Sequence, residues 1–278
     1  MSIARLMQMA RAGVPSGGGV TWTDPDLANA SYDSVSFSVA AQEIFPNALF
    51  FKPEGDRFYV VGSDGDDVNE YSLSTAWDIS TASFTQAFSI GAQETVPNGL
   101  FFKPDGLKMY VSGNTGDDIN EYDLSTAWDV STASYLQNFS VTAQDTSPQD
   151  VFFRDDGLKM YMVGATGDNV YEYDLSTAWD VSTASYLQNF SVTTQETAPT
   201  GVVFNPFGTK MYVVGSSGDD VNEYNLSTAW DVSTASYLQN FSVSAQDAAP
   251  VGLAFKSDGS KMYILGTGTD TIYQYSTA

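Results

Sequence analysis

Apolar residues in this chain come in short runs, and the runs recur. From about residue 31 onward each run is rich in β-branched and aromatic side chains and alternates only partly with polar ones. Strands read this way when both faces of their sheet are covered. Four runs make a unit. The first is S-Y-L-Q-N-F-S-V at 134–141, 185–192 and 236–243, with variants at 83–90 and 31–39. A loop A-Q-[ED]-x-x-P follows and ends at Pro46, Pro97, Pro148, Pro199 and Pro250. The second run is Ala48-Leu49-Phe50-Phe51 or Gly99-Leu100-Phe101-Phe102, and it closes on a turn such as Lys103-Pro104-Asp105-Gly106. Proline and glycine stand there where a tight turn needs them. The third run is Lys210-Met211-Tyr212-Val213-Val214-Gly215, and the fourth, after a G-D-D turn, is Val221-Asn222-Glu223-Tyr224-Asn225-Leu226. No useful helical period lies between them. Each unit therefore predicts a four-stranded antiparallel meander.

The units repeat at a fixed step. L-S-T-A-W-D-[VI]-S-T-A-S carries Trp77, Trp128, Trp179 and Trp230, each 51 residues after the last. Such a period marks a solenoid, a propeller or an array. Sheets of four short strands cannot cover both faces alone, but they can when stacked radially as blades. The predicted fold is all-β: a five-bladed β-propeller of four-stranded antiparallel blades over residues 20–278. The chain opens on an outer strand (31–39) and ends on three inner ones (about 252–276), so the N-terminal strand is expected to complete the last blade. Tyr275-Ser276-Thr277-Ala278 approximates the Y-x-L-S-T-A that precedes each tryptophan, and Trp22 is expected to supply that tryptophan. Closure of this kind removes open edges that recruit other chains. Unit one carries four extra residues around 24–30, where the chain enters.

Residues 1–19 follow a different pattern. Ile3, Leu6, Met7 and Ala10 fall on one face of a possible short helix with Ser2 as N-cap, and 13–19 reads as a glycine-rich linker. This tail is expected to be a helical or extended docking peptide. Arg5, Gln8 and Arg11 interrupt what would be the apolar core of a secretory signal. The whole chain has 278 residues, no cysteine, no histidine and a formal net charge of −23. Disulfides, thiolate metal sites and histidine-based nucleophile pairs are excluded, and the charge argues against nucleic-acid binding. No run of about 18 apolar residues is present to span a membrane.

The segment G-L-F-F-K-P-D-G-L-K-M-Y-V-S-G-N-T-G-D-D-I-N-E-Y-D-L-S-T-A (99–127) resembles repeats of YVTN-type and related bacterial β-propellers. That resemblance implies the fold and leaves function open, since propellers serve as enzymes, lectins and scaffolds. The opening Met1-Ser2-Ile3-Ala4-Arg5-Leu6-Met7-Gln8-Met9-Ala10 resembles the leaders of small virion proteins of marine bacteriophages. It implies a particle-attached protein, docked on a virion structural protein through residues 1–12 and displayed at the virion surface.

One face of a propeller would collect two sets of carboxylates. Glu43, Glu94, Asp145, Glu196 and Asp247 come from the A-Q-[ED] loops, and Asp66, Asp117, Asp168, Asp219 and Asp270 come from the turns. Such a ring offers ligand-binding oxygens and is compatible with calcium. The competing reading is that each turn aspartate of the second set caps its own turn. The tryptophans on the other face either stack on sugars or pack between blades. Lys108, Lys159, Lys210, Lys261 and Arg57 recur beside the second-run turns and are expected to be solvated, pairing with nearby acids.

Five near-copies of one loop favour five equivalent weak contacts over one active site. A non-enzymatic role is therefore expected, and propeller lactonases that rely on histidine are excluded. The expected function is adhesion of a virion-displayed propeller to host surface glycan. The alternatives are a purely structural decoration or spacer, a free multivalent lectin, or a carboxylate-dependent glycosidase.

Overall fold

The computed structural model describes residues 21–277. The chain builds five antiparallel sheets of four strands each. Blade one runs β2 (Pro46–Phe51), β3 (Arg57–Gly62), β4 (Asp67–Leu73) and β5 (Ala82–Ser89) from axis to rim. The same four strands recur as β6–β9 (97–140), β10–β13 (148–191) and β14–β17 (199–242). The innermost strands β2, β6 (Pro97–Phe102), β10 (Pro148–Phe153), β14 (Pro199–Phe204) and β18 (Pro250–Phe255) pack against one another around the axis.

The last blade closes as expected. β18, β19 (Lys261–Gly266) and β20 (Thr271–Ser276) take β1 (Ser31–Ser38) as their fourth strand, with Ser31 opposite Ser276 and Ser38 opposite Thr271. A bulge between Tyr32 and Val35, with Ser34 at φ 60°, bends β1 into place. Among the described residues no helix is long and apolar enough to cross a membrane. The proposed docking residues Ile3, Leu6, Met7 and Ala10 and the linker lie outside the described residues.

The core is five wedges of apolar side chains between blades. Between blades one and two sit Tyr59, Phe102, Met109, Val111, Tyr122, Leu124 and Val130, capped by Trp128. The tryptophans pack rather than project. Trp128 and Trp179 are only 9% and 8% exposed. Trp77 stacks on Phe51 at 5.3 Å and 20°. Each of these tryptophans covers the glycine of the preceding turn. Gly106 has φ +72°, and a Cβ there would lie 2.5 Å from the Trp128 ring, so no other residue fits. Each tryptophan carbonyl also accepts a hydrogen bond from a tyrosine of the preceding blade: Tyr59 to Trp128 at 2.7 Å, Tyr110 to Trp179 at 2.8 Å, Tyr161 to Trp230 at 2.8 Å and Tyr263 to Trp77 at 2.7 Å.

The seam departs from this pattern, and Trp22 does not take the pose expected of it. Its ring meets Phe255 edge-on at 6.2 Å and 83°. At Gly259 the space a tryptophan fills elsewhere belongs to the Thr23 carbonyl, whose oxygen is 1.9 Å from where a Cβ would lie. The extra residues of unit one are the cause: they carry Leu27, fully buried, into the last wedge. Tyr212, which would reach the missing tryptophan carbonyl, has a buried hydroxyl without a partner among the described residues.

The recurrent lysines are not simply solvated. Lys108, Lys159 and Lys210 pair with Glu121, Glu172 and Glu223, and Arg57 pairs with Glu70, all four glutamates lying buried on the third strands of their blades. The glutamates then reach the next blade. Glu70, Glu121 and Glu172 accept from the backbone N–H of Val130, Val181 and Val232 at 3.3, 3.1 and 3.1 Å. A glutamine on the outer strand completes each node, as where Gln137 donates to both Glu121 (3.0 Å) and Asp180 of the next blade (2.8 Å). In the last blade the acid and amide exchange strands. Gln274 stands where the glutamates stand, and Asp33 on β1 pairs with Lys261 at 2.5 Å.

The tyrosine bridges give a paired test. Tyr110→Phe strands a buried carbonyl and is expected to cost about 1–2 kcal/mol. Tyr212→Phe removes a hydroxyl that bonds nothing among the described residues and should be neutral or stabilising. Urea unfolding of both variants checks the difference.

Candidate functional site

The two predicted sets of face carboxylates have different environments. Glu43, Glu94, Asp145, Glu196 and Asp247 are buried, at 0%, 0%, 3%, 1% and 3% exposure. Each folds back onto backbone N–H groups of its own loop and of the adjoining hairpin. Glu43 accepts from Phe45 at 2.8 Å and Asp64 at 3.0 Å; Glu94 from Val96 at 2.7 Å and Thr115 at 3.0 Å. Asp145 accepts from Ser147 and Gly167 at 2.8 and 2.9 Å, and Glu196 from Ala198 and Ser217 at 2.7 and 3.1 Å. Asp247 accepts from Ala249 at 2.8 Å and from the Thr269 hydroxyl at 2.7 Å. These oxygens are occupied in joining two loops. Burial pushes the Glu43 carboxyl above the usual range, against the pull of its N–H donors.

Asp66, Asp117, Asp168, Asp219 and Asp270 are half-buried and share a left-handed backbone, with φ between 47° and 50°. That conformation suits aspartate better than most residues. It aims each carbonyl at the residue following an outer strand: Ile90, Val141, Val192, Val243 and Val39 each donate to one at 2.8 Å. Their side chains are less engaged, with Thr142 at 3.5 Å from Asp117 and Thr193 at 3.4 Å from Asp168. Among the described residues no three carboxylates converge as metal ligands.

The axis holds a group that the repeat reading passed over. Position 48 and its equivalents, at 51-residue steps, are Ala48, Gly99, Asp150, Gly201 and Gly252. Four are small and one is acidic, and that break in the pattern was the available signal. Asp150 lies in an axial cavity of about 130 Å³. Its Oδ1 accepts from its neighbour Val151 at 2.8 Å, and its Oδ2 from Val202 on the next blade at 3.0 Å. The backbone N–H of Leu100, on the preceding blade, also bonds it. The side chain thus ties three innermost strands together. A Cβ at position 99 would lie 2.5 Å from the Asp150 Cα, so the neighbouring blade must carry glycine.

The cavity walls are apolar. Phe50, Phe101 and Phe152 form one arc, with ring centroids 5.4 and 5.3 Å apart in edge-to-face contacts. Val203 and Ala254 hold the equivalent positions in the other two blades and leave that side open. Asp150 keeps partial exposure toward the cavity. Its surroundings still desolvate it, and burial outweighs the three N–H donors to push the carboxyl up to about 7. Asp150 is the one titratable side chain among the lining residues. The paired carboxylates of a glycosidase are therefore not assembled there.

No protein-family model matches the sequence, and no curated protein does. The fold is similar to solved propellers. A candidate 6-phosphogluconolactonase from Bacteroides uniformis aligns at 13% identity and TM-score 0.51, over 80% of this chain and 64% of that one. The periplasmic gluconolactonase of Pseudomonas aeruginosa aligns at 12% and 0.49, over 83% and 66%. A protein of unknown function from Desulfotomaculum acetoxidans aligns at 11% and 0.48, over 80% and 62%. This chain thus spans less than two thirds of the length of each of these. At such identities the fold is what is shared.

The expectation of a non-enzymatic chain does not stand. A propeller named as a candidate 6-phosphogluconolactonase has this fold. The absence of histidine excludes only mechanisms that need histidine.

Asp150 makes a pH prediction. Its folded-state value of about 7 lies above the ordinary 3.8, so its charged form destabilises the fold. Stability from this group is expected to rise as pH falls from above 7 toward 4, by about 4 kcal/mol at most. Asp150→Asn should remove that increment. Denaturant midpoints of both proteins across pH 4–8 measure it.

Proposed function

We propose that the propeller is a polyvalent adhesion module that recognises glycan through its rim, displayed on a virus particle by residues 1–12. The observation that carries this reading is the repetition of one exposed strip. The outer strands Ala133–Ser140, Ala184–Ser191 and Ala235–Ser242 have the identical sequence A-S-Y-L-Q-N-F-S. Each exposes a tyrosine and a leucine, with Tyr135, Tyr186 and Tyr237 at 42%, 44% and 43%. Phe84 takes the tyrosine position in blade one at 43%.

Tyrosine suits sugars, offering a flat apolar ring and a hydroxyl. Asn138, Asn189 and Asn240 stand three residues on, and the Tyr186 hydroxyl lies 3.0 Å from Asn189. The strips carry no charge in a chain of net −23, so an acidic polysaccharide meets least repulsion there. Weak contacts of this kind gain strength through number when the target is itself repetitive. The loop acids are buried, and Trp77, Trp128, Trp179 and Trp230, buried or partly so, pack against the core. The virion assignment rests on the leader sequence.

Two outcomes are expected. On a bacterial polysaccharide array the full-length protein binds. Changing Tyr135, Tyr186 or Tyr237 singly to Ala costs less than about tenfold, whereas changing all three costs about a hundredfold or more with an unchanged circular dichroism spectrum. Silence across the array counts against adhesion. Deleting residues 1–19 should leave the propeller folded and absent from particles; normal incorporation would reject the docking role.

A further inference from the structure

The axial cavity is independent of the rim and fits a different kind of ligand. Its volume of about 130 Å³ is close to that of cavities that hold one benzene-sized molecule. Phe50, Phe101 and Phe152 supply an aromatic wall, and Val203 and Ala254 leave the room beside it. Phe50, Phe152 and Val203 keep partial exposure, so the space communicates with solvent.

The polar side of the cavity is unbalanced. A carboxylate has about four lone-pair directions. Three N–H donors, from Leu100, Val151 and Val202, reach Asp150. One direction is left for a further donor. No lysine or arginine lines the cavity, so the negative charge has no counterion there. A chain of net −23 also draws cations toward its surface and holds them near its openings.

We propose that the axial cavity binds a small primary ammonium with an apolar body of about six carbons, its N–H₃⁺ on the Asp150 carboxylate and its body against the three phenylalanines. The ammonium supplies both the missing hydrogen bond and the missing charge. The aromatic wall adds the attraction that rings offer to nearby cations. A bare metal ion would leave that wall unused. A neutral ligand bearing only a carbonyl would need Asp150 protonated, which reverses the pH dependence.

Benzylammonium is a probe of the right size, with benzyl alcohol as its uncharged counterpart. Isothermal titration of the full-length protein should show benzylammonium binding at pH 8 at least tenfold tighter than benzyl alcohol. Its affinity should rise about tenfold per pH unit up to about 7, then level off, because Asp150 is the one titratable group facing the cavity. Asp150→Asn should weaken binding at least tenfold. Val203→Phe continues the ring arc already present in three blades and should abolish binding with Asp150 intact, its thermal melt confirming the fold. No detectable binding, equal affinity for the alcohol, a flat pH profile, or affinity that falls with rising pH would each overturn the proposal. The last outcome would assign the cavity to a neutral hydrogen-bond acceptor. Should Asp150→Asn fail to fold, the wild-type pH profile and Val203→Phe still decide.

Discussion

Everything in this molecule depends on a blade being unable to satisfy itself. Four short strands expose two apolar faces and bury one glutamate in mid-sheet. Glu121 finds its cation in its own blade, at Lys108, but part of its hydrogen bonding in the next, at the N–H of Val181. Tyr110 likewise satisfies its hydroxyl on the Trp179 carbonyl of the following blade. Removing a partner from such a buried set leaves an uncompensated charge or carbonyl, which costs far more than the bond itself contributes. Each blade is thus stable only in company, and the ring has to close.

The seam shows how closure tolerates imperfection. Chain entry forces extra residues between Trp22 and β1, and the regular tryptophan pose is lost. The apolar wedge is refilled by Leu27. The ionic node is preserved by exchange: Asp33 arrives from the rim strand and Gln274 takes the mid-sheet position. Lys261, Ser276 and Gln274 all donate to Asp33 and hold its carboxyl below the usual range, against the opposing effect of burial. Tyr212 records what was not repaired.

Repetition and its interruption divide the candidate chemistry. Groups that recur from blade to blade, the loop acids and tryptophans, prove to be the fittings of the repeat. Asp150 occurs once, where the other blades place alanine or glycine. At the axis where the five innermost strands meet, this carboxyl costs stability when charged, whereas a fifth small residue would not. Its three N–H partners give it a structural use, and its apolar cavity gives it an unusual affinity for protons or cations.

The amino-acid order alone determined the period, the four strands per unit, the blade number and the closing of the last blade by the first strand. These follow from local pattern, since turn residues and apolar runs act on their immediate neighbours and a fixed step makes every unit equivalent. The tertiary structure decided what each equivalent position does. A glutamate in A-Q-E reads alike whether it faces solvent or folds onto Asp64 and Phe45. Only the hairpin brought beside it by blade folding settles that Glu43 is buried. Asp150 was visible as an exception at a 51-residue step, but its meaning was not. Its environment is made by Leu100, Val151, Val202 and three phenylalanines from separate blades, and those meet only when the ring shuts.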